Sequence, residues 1–202
     1  GQGRVAQCVP RPMAGQIVAS NAYGLAAMIV AAGGEPRSIG IARDDAEDLA
    51  HKFQEAAGAD ILVTTGGASV GDHDLVRPSL EAWGASLNFY KIAMRPGKPV
   101  FFGTRGSTRL LGLPGNPLSM MIAARIFLVP LLARLLGRTD KLAPVPAKLT
   151  VALPANGPRT HYMRARLDTS AHEPLVAPLG GQDSAFVRAL VEANCLAIIP
   201  AN

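Results

Sequence analysis

Two glycine-rich turns are the part of the sequence whose residue types and spacing could do chemistry. They are TTGGASVGD at residues 64–72 and LPGNP at residues 113–117. Each follows a short apolar run that predicts a buried strand. Glycine lets the backbone approach a ligand without a Cβ in the way, and successive N–H groups can then surround an anion. The two turns therefore predict one anion-binding site.

A predicted helix start strengthens the second turn. Asn116 is a natural N-cap, and Pro117 suits the first helical position, where its missing N–H costs nothing. The positive end of the helix dipole would then lie beside Gly115. A glycine turn after a strand is common, so the prediction depends on two such turns meeting at one sheet edge.

Three carboxylates could add a metal to this site. Asp44 follows a predicted strand, and Asp72 and Asp74 follow the first glycine turn. Carboxylates beside a phosphate are suitable ligands for Mg²⁺, because the cation offsets both charges. All three also stand near predicted helix starts, where they could serve only as caps.

A basic trio surrounds the turn RPGKP at residues 95–99. Lys91, Arg95 and Lys98 could remain ordinary solvated charges. Because Pro96 and Pro99 stiffen the turn, less entropy would be lost when Lys98 binds an anion. This favours an anion-binding role for the trio.

Composition limits the other classes of function. The chain has 202 residues, 49% of them hydrophobic, and a net charge of +5. The basic residues are dispersed and not interleaved with aromatics, which favours small anionic ligands over nucleic acid. The two cysteines and four histidines lack metal-ligand spacing, so we expect free thiols in a reducing compartment.

The segment 118–136 is long and apolar enough to suggest a membrane span. Arg125, Pro130 and Arg134 interrupt it, and charges and proline are costly at membrane depth. We therefore expect a mostly buried helix. The first residues show no basic segment followed by an apolar core, which predicts no signal peptide and a cytoplasmic location.

Helical and extended patterns alternate along the first 142 residues. Helices are predicted at 21–32 (with Ser20 as cap), 44–57 and 75–83, where Leu75, Leu80 and Trp83 would face inward, and after LPGNP. Strands are predicted at 36–41, 61–64, 87–92, 100–102 and 109–112. Such alternation predicts an α/β domain whose mostly parallel sheet has helices on both faces.

The sequence pattern changes after residue 142, from alternating helices and strands to mostly short strands. Residues 148–153, 162–167, 175–178 and 195–199 read as strands, with a short helix near 185–192. We therefore predict two domains, an α/β domain at 1–142 and a small β-rich domain at 143–202.

Several motifs together resemble a known family. ILVTTGGASVGDHD, KIAMRPGKP and LLGLPGNPLSM resemble the MoeA family of molybdopterin molybdenumtransferases, which includes the E domain of gephyrin. GQIVASNAYGLAAMI and IARDD fit the same domain, and GPRTHYMRARL and GGQDSAFVRALVEANCLAIIP fit the family's last domain. The likeness covers nearly the whole chain.

The resemblance implies a molybdopterin-binding α/β domain followed by a small β-barrel-like domain. It further implies insertion of molybdate into adenylylated molybdopterin, with release of AMP, dependence on Mg²⁺ and a homodimer. Asp44 and Asp74 resemble the family's metal-binding and catalytic acids, and Lys91, Arg95 and Lys98 its catalytic basic residues. The implied ligand-binding positions are Asn21, Thr65, Gly66, Gly67, Ser69, Gly71, Pro114, Gly115, Asn116, Ser119, Arg159 and Ser184.

The sequence departs from the family in two places. Arg95 stands where the family usually has lysine, which keeps the charge but changes the donor geometry. The family's first strand and its S-T-G-D-E turn are missing between Arg4 and Ile17. Either a stretch of the natural chain is absent between Ala6 and Gln7, or this is a shortened form with a damaged metal site. We favour the first explanation, because the sheet would otherwise expose an apolar edge.

Two other functions stay open beside the transferase. One is a non-catalytic molybdopterin-binding or scaffold module, and the other is a molybdopterin adenylyltransferase, which shares the G-G-x-S-x-G turn. The β-rich residues 149–199 argue against the second.

Overall fold

A computed structural model of the chain describes residues 19–67, 75–139, 143–170, 172–180, 182 and 189–202. The first part contains α1 Asn21–Ala31, α2 Ala46–Glu55, β1 Ile61–Thr65, α3 Val76–Ala82, β2 Ser86–Phe89, β3 Met94–Arg95, β4 Phe101–Arg105, β5 Thr108–Leu113, α4 Pro117–Ala123, a π-helical turn Ala124–Leu128 and α5 Val129–Leu135. The second part contains β6 Lys148–Leu149, β7 Thr160–Asp168, β8 Leu175–Pro178, α6 Ala189–Glu192 and β9 Cys195–Ile199.

The first sheet has the strand order β1-β5-β4-β2. Strands β1 and β5 are parallel, as the alternating pattern predicts. Strands β4 and β5 form an antiparallel hairpin with a two-residue connection, and β2 pairs antiparallel with β4. The α/β class is confirmed. The described part of the first sheet contains both parallel and antiparallel strand pairs.

Helices cover both faces of this sheet, as predicted. Successive residues of a strand point to opposite faces. Leu110 of β5 accordingly packs with Phe53 of α2 and Leu80 of α3, whereas the next residue, Leu111, packs with Leu25 of α1. The first cluster also contains Leu49, Ala56, Leu62, Trp83 and Phe101, and the second Val100, Leu113, Met120, Ala123, Ala124 and Leu128.

The second sheet is organised around β7. This strand pairs with β3 at its start, with β9 along its middle and with β8 at its end, and β6 extends the sheet beyond β8. Met163, Ala165, Val176 and Ala197 form its buried core. Because β3 lies between β2 and β4 in the chain, a segment of the first part belongs to the second sheet.

Two sequence predictions in the first part are wrong. Residues 36–41 form no strand in the described structure, Gly40 has a φ of +80°, and Ile41 is 76% exposed. An extended run is stable only beside a partner strand, and no described strand lies alongside it. Ser20 makes no capping hydrogen bond, because its backbone is already helical.

Other elements differ from the predictions in length or burial. The strand predicted at 87–92 ends at Phe89, because the amide of Ile92 donates to Lys98 O and leaves the ladder. The strand predicted at 148–153 contains only Lys148–Leu149. Leu75, predicted to face inward, is 36% exposed because it precedes the first turn of α3.

The long apolar helix is built of α4, the π-helical turn and α5. Among the described residues, Pro117–Leu135 has the length and composition of a membrane-spanning helix, and half of it is buried inside the fold. Its first half packs in the α1 face of the sheet and against the second sheet. A long helix of this composition is also typical of a protein core.

Candidate functional site

The two glycine turns lie side by side. Because β1 and β5 are parallel neighbours with Thr65 opposite Leu113, both turns leave the same edge of the sheet. The amide of Gly66 donates to Leu113 O at 3.1 Å. A Cβ on Gly115 would lie 3.4 Å from the Cα of Gly66, so the two backbones almost touch. We call this region the carboxyl edge of the first sheet.

The conformation of the first turn requires glycine. Gly67 has a φ of +66°, and a Cβ there would lie 2.2 Å from Cγ2 of Val76. A side chain at this position would therefore be strained and would collide with α3. The rest of the turn, including Ser69, Gly71 and Asp74, lies outside the described residues.

The second turn opens the long helix as predicted. Asn116 is the N-cap, and its Oδ1 accepts from the amide of Ser119 at 3.1 Å. Pro117 occupies the first helical position, and the side chain of Ser119 is buried at the first turn. The N-terminus of the helix thus follows Pro114 and Gly115 directly, where its dipole favours an anion.

Helix α1 contributes an amide to the same edge. Nδ2 of Asn21 donates to Gly115 O at 2.8 Å. Its Oδ1 is buried and has no hydrogen-bond partner among the described residues, and the same holds for Oγ1 of Thr64 at the end of β1. Buried polar atoms are rarely left unsatisfied, so these two atoms are available to a bound ligand.

The RPGKP turn packs onto the start of the long helix. Met94 is buried against Leu118 and Ile122, and a Cβ on Gly97 would lie 3.8 Å from Cβ of Ala123. The hydroxyl of Tyr90, just before the loop, donates to Gly67 O at 3.4 Å. The loop is thereby held next to both glycine turns.

The two lysines of the basic trio lie at the ends of this loop. The amide of Ile92 donates to Lys98 O at 3.1 Å, which brings Lys98 close to the residue after Lys91. Both lysine side chains are exposed, and neither has a hydrogen bond or ion pair with a described residue. They are free to bind an anion.

Arg95 is held by the second sheet. In the β3–β7 seam, formed by Met94, Arg95, Thr160 and His161, Arg95 pairs with His161. Its Nη2 lies 2.8 Å from Nδ1 of His161 and 3.4 Å from Oδ1 of Asn156. Neither His161 nor Asn156 is among the predicted site residues, because only the long-range strand pairing brings them to Arg95.

The seam is strongly basic. Burial of the ring, followed by the charges of Arg95, Arg164 and Arg159, lowers the pKa of His161 from 6.5 to about 4. Arg159 itself is exposed, and its backbone oxygen accepts from Nδ2 of Asn156. Two predicted anion-binding residues, Arg95 and Arg159, therefore lie around one neutral histidine. Ser184 lies outside the described residues.

Only Asp44 of the predicted metal ligands lies among the described residues. Asp44 is exposed, and its carboxylate has no hydrogen bond or ion pair with any of them. The helix cap is the next residue, Asp45, which accepts from the amide of Glu47. No group of three His, Cys, Asp or Glu side chains suited to a metal occurs in the part of the chain that the structure describes. Asp74, the other predicted ligand, and Asp72 lie outside the described residues, so the Mg²⁺ site stays a prediction.

Comparison with known proteins gives two family matches. Residues 5–134 match the family described as probable molybdopterin binding domain, and residues 146–202 match the MoeA C-terminal region (domain IV).

Individual relatives agree with these matches. The chain is 35% identical to a molybdopterin molybdenumtransferase from Nostoc sp. and 34% identical to one from Bacillus subtilis, with 92% of this chain and 44% of each relative covered. A crystal structure of a molybdopterin biosynthesis MoeA protein from Pyrococcus horikosii superposes with a TM-score of 0.74 at 30% identity, covering 95% of this chain and 47% of that one.

This chain thus spans less than half the length of the curated relatives it matches. The paired glycine turns, the basic loop and the second sheet all lie within the matched segments. The chain therefore belongs to the MoeA family, of which it covers the molybdopterin-binding domain and the C-terminal region.

Proposed function

We propose that the carboxyl edge of the first sheet and the adjoining basic loop insert molybdate into adenylylated molybdopterin with release of AMP. The observation that carries this proposal is the packing of the RPGKP loop onto the start of the long helix, beside both glycine turns. A phosphate cradle and a group of free cations are thereby adjacent. The relatives named as molybdopterin molybdenumtransferases support the same reaction.

The division of labour follows from the chemistry of the groups. The backbone N–H groups of the glycine turns and the first turn of α4 bind the phosphates, and Asn21 and Thr64 offer acceptors to the pterin's N–H donors. Lys98, Lys91, Arg95 and Arg159 supply positive charge for molybdate, with Ser119 at the helix start.

The reaction needs no protein nucleophile. The two dithiolene sulfurs bind molybdenum, and one molybdate oxygen leaves with their two protons as water. A water molecule adds to phosphorus as the P–O bond of the phosphoanhydride breaks, which releases AMP and leaves the other phosphate on molybdopterin. Fixed cations and backbone dipoles stabilise the negative charge on the departing phosphate and hold the two substrates in place.

Four further features belong to this proposal. They are the division into domains at residues 142 and 143, a homodimer, a cytoplasmic location and a requirement for Mg²⁺. The described residues supply only Asp44 toward a metal, so no step is assigned to Mg²⁺. Comparing AMP release with Mg²⁺ and with EDTA, in the wild type and in Asp44→Asn, tests whether this carboxylate takes part.

A non-catalytic binding module is the second candidate. The glycine turns, the Asn116-capped helix start and the exposed Lys91 and Lys98 suit binding of an anionic ligand whether or not a reaction follows. An adenylyltransferase is disfavoured, because that fold lacks a small β-rich domain, whereas residues 146–202 of this chain match the MoeA C-terminal region.

One experiment separates the candidates. The purified chain is mixed with adenylylated molybdopterin, and binding and AMP release are followed with and without molybdate. Molybdate-dependent AMP release is expected. Tight binding without AMP release would identify a binding module, and formation of adenylylated molybdopterin from ATP would identify an adenylyltransferase.

A further inference from the structure

The contact between Arg95 and His161 has a fixed direction. Arginine carries only donors, so Nδ1 of His161 must accept from Nη2 at 2.8 Å. His161 is therefore neutral, with its proton on Nε2. In a protonated imidazole, Nδ1 would carry a hydrogen that faces the N–H of Arg95 Nη2, and the positive ring would repel the guanidinium.

The surroundings of His161 enforce this state. The side chain is 7% exposed, and its strand neighbours are Arg95 on β3 and Ile199 on β9. The charged groups that act on it are Arg95, Arg164 and Arg159. All are cations and disfavour a proton on the ring.

Arg95 is held through one of its nitrogens only. Both acceptors, His161 and Asn156, bind Nη2, while Nε and Nη1 have no partner among the described residues. Asn156 is itself fixed, because its Nδ2 donates to Arg159 O and Ile199 O at 3.0 and 3.1 Å. The guanidinium is oriented by β7 and the 156–159 turn and still has donors to offer.

We propose that His161 is a positioning residue that holds the Arg95 guanidinium in place for binding a tetrahedral oxyanion. Lysine at position 95 would need no such support, because its ammonium is a point charge that binds without a planar orientation. Arginine gains by being fixed, since a guanidinium that is already oriented loses less entropy when it binds an anion. The inference rests on the proposed function, in which Arg95 contributes to the molybdate site.

The test compares variants that remove or keep the acceptor. His161→Leu removes it, whereas His161→Asn keeps an oxygen at the place of Nδ1 and cannot be protonated. Molybdate binding is measured calorimetrically at pH 7.5 on the full chain, with Arg95→Ala as the reference for losing the guanidinium. His172→Leu, an exposed histidine on the second part, is the matched control.

The expected result is a specific pattern of affinities. His161→Leu weakens molybdate binding about tenfold and approaches Arg95→Ala, whereas His161→Asn and His172→Leu stay within about twofold of wild type. Circular dichroism and thermal melting verify that each variant folds. Equal affinity in wild type and His161→Leu, or equal losses in His161→Leu and His161→Asn, would overturn the positioning role.

A second readout separates positioning from mere packing. Sulfate is also tetrahedral and stays a dianion from pH 8 to 4, so its binding can be followed by NMR titration over that range. Wild type is expected to lose sulfate affinity as His161 takes up a proton near pH 4, and His161→Asn is expected to lose less. Identical profiles contradict the inference. Should Arg95→Ala bind molybdate and sulfate as well as wild type, the proposed anion site itself is wrong.

Discussion

The carboxyl edge of the first sheet and the β3–β7 seam are both suited to anions, but they are built differently. The edge uses backbone: two glycine turns so close that a Cβ on Gly115 would contact the Cα of Gly66, and a helix start capped by Asn116. The seam uses side chains, with Arg95 held by His161 across 66 positions of the chain. A backbone cradle can accept any phosphate that fits, whereas an oriented guanidinium selects by the geometry of its donors.

Replacing the glycine at the centre of the edge should have the largest effect. Gly67→Ala is expected to weaken binding of adenylylated molybdopterin about a hundredfold, because strain of ~1–3 kcal/mol adds to the collision with Val76. The measurement is a fluorescence or calorimetric titration.

Gly137→Ala is the matched control for that variant. Gly137 has a similar φ of +71°, but a Cβ there would meet no atom within 4 Å. We expect a loss of about 1 kcal/mol in stability and unchanged ligand binding. Similar binding by both variants would show that the cradle tolerates a side chain.

The charges of the loop should matter next. Lys98→Ala is expected to slow molybdate-dependent AMP release about tenfold, since one charge-assisted contact is lost. Lys148→Ala removes an exposed lysine 3.7 Å from Glu173 on the second sheet and should leave the rate unchanged. An unaffected rate in Lys98→Ala would remove this lysine from the mechanism.

The helix cap should have a moderate effect on stability. Asn116→Ala removes the acceptor of the Ser119 amide and is expected to cost about 1 kcal/mol in the free energy of unfolding. Urea denaturation measures it, and Asn88→Ala, at an exposed position of β2, should change stability by less than about 0.5 kcal/mol. If Asn116→Ala lowers the free energy of unfolding by as little as Asn88→Ala does, the hydrogen bond from the Ser119 amide does not stabilise the fold.

The seam should also affect stability, through its dependence on pH. The folded pKa of His161 is about 4, below its unfolded value of 6.5. The unfolded chain therefore binds a proton first, and stability should fall as the pH drops from 6.5 toward 4. Urea denaturation at pH 7 and 5 measures how much the free energy of unfolding decreases. The decrease should be smaller in His161→Asn than in wild type, whereas His172→Asn should show the same decrease as wild type.

The features that local sequence determines could be predicted. The positions of β1, β5, β8 and β9, the Asn116 cap and the meeting of the two glycine turns follow from apolar runs and the conformations of glycine and proline. The basic trio is likewise indicated by its proline-stiffened turn. For the strands, the cap and the trio the determining residues are neighbours in the chain. The meeting of the turns is instead predicted from the alternation of strands and helices, because parallel strands end at the same sheet edge.

The features that depend on distant pairing could not be predicted. Nothing near Arg95 indicates that a two-residue strand will join β7, so the sequence does not point to His161 or Asn156. The strand prediction at residues 36–41 failed for a related reason, because an apolar run becomes a strand only beside a partner. The burial of Arg164, at 1% exposed, is likewise invisible in an alternating strand pattern.

The β3–β7 pairing also sets an order for how the site is completed during synthesis. A growing chain that has reached residue 139 already contains both glycine turns, the basic loop and the long helix. Asn156 and His161 are translated later, and the amide of Thr160 must then reach Ala93 O before Arg95 acquires its support. The cradle is therefore encoded early in the chain, and the orientation of Arg95 is added only when the second sheet closes onto it.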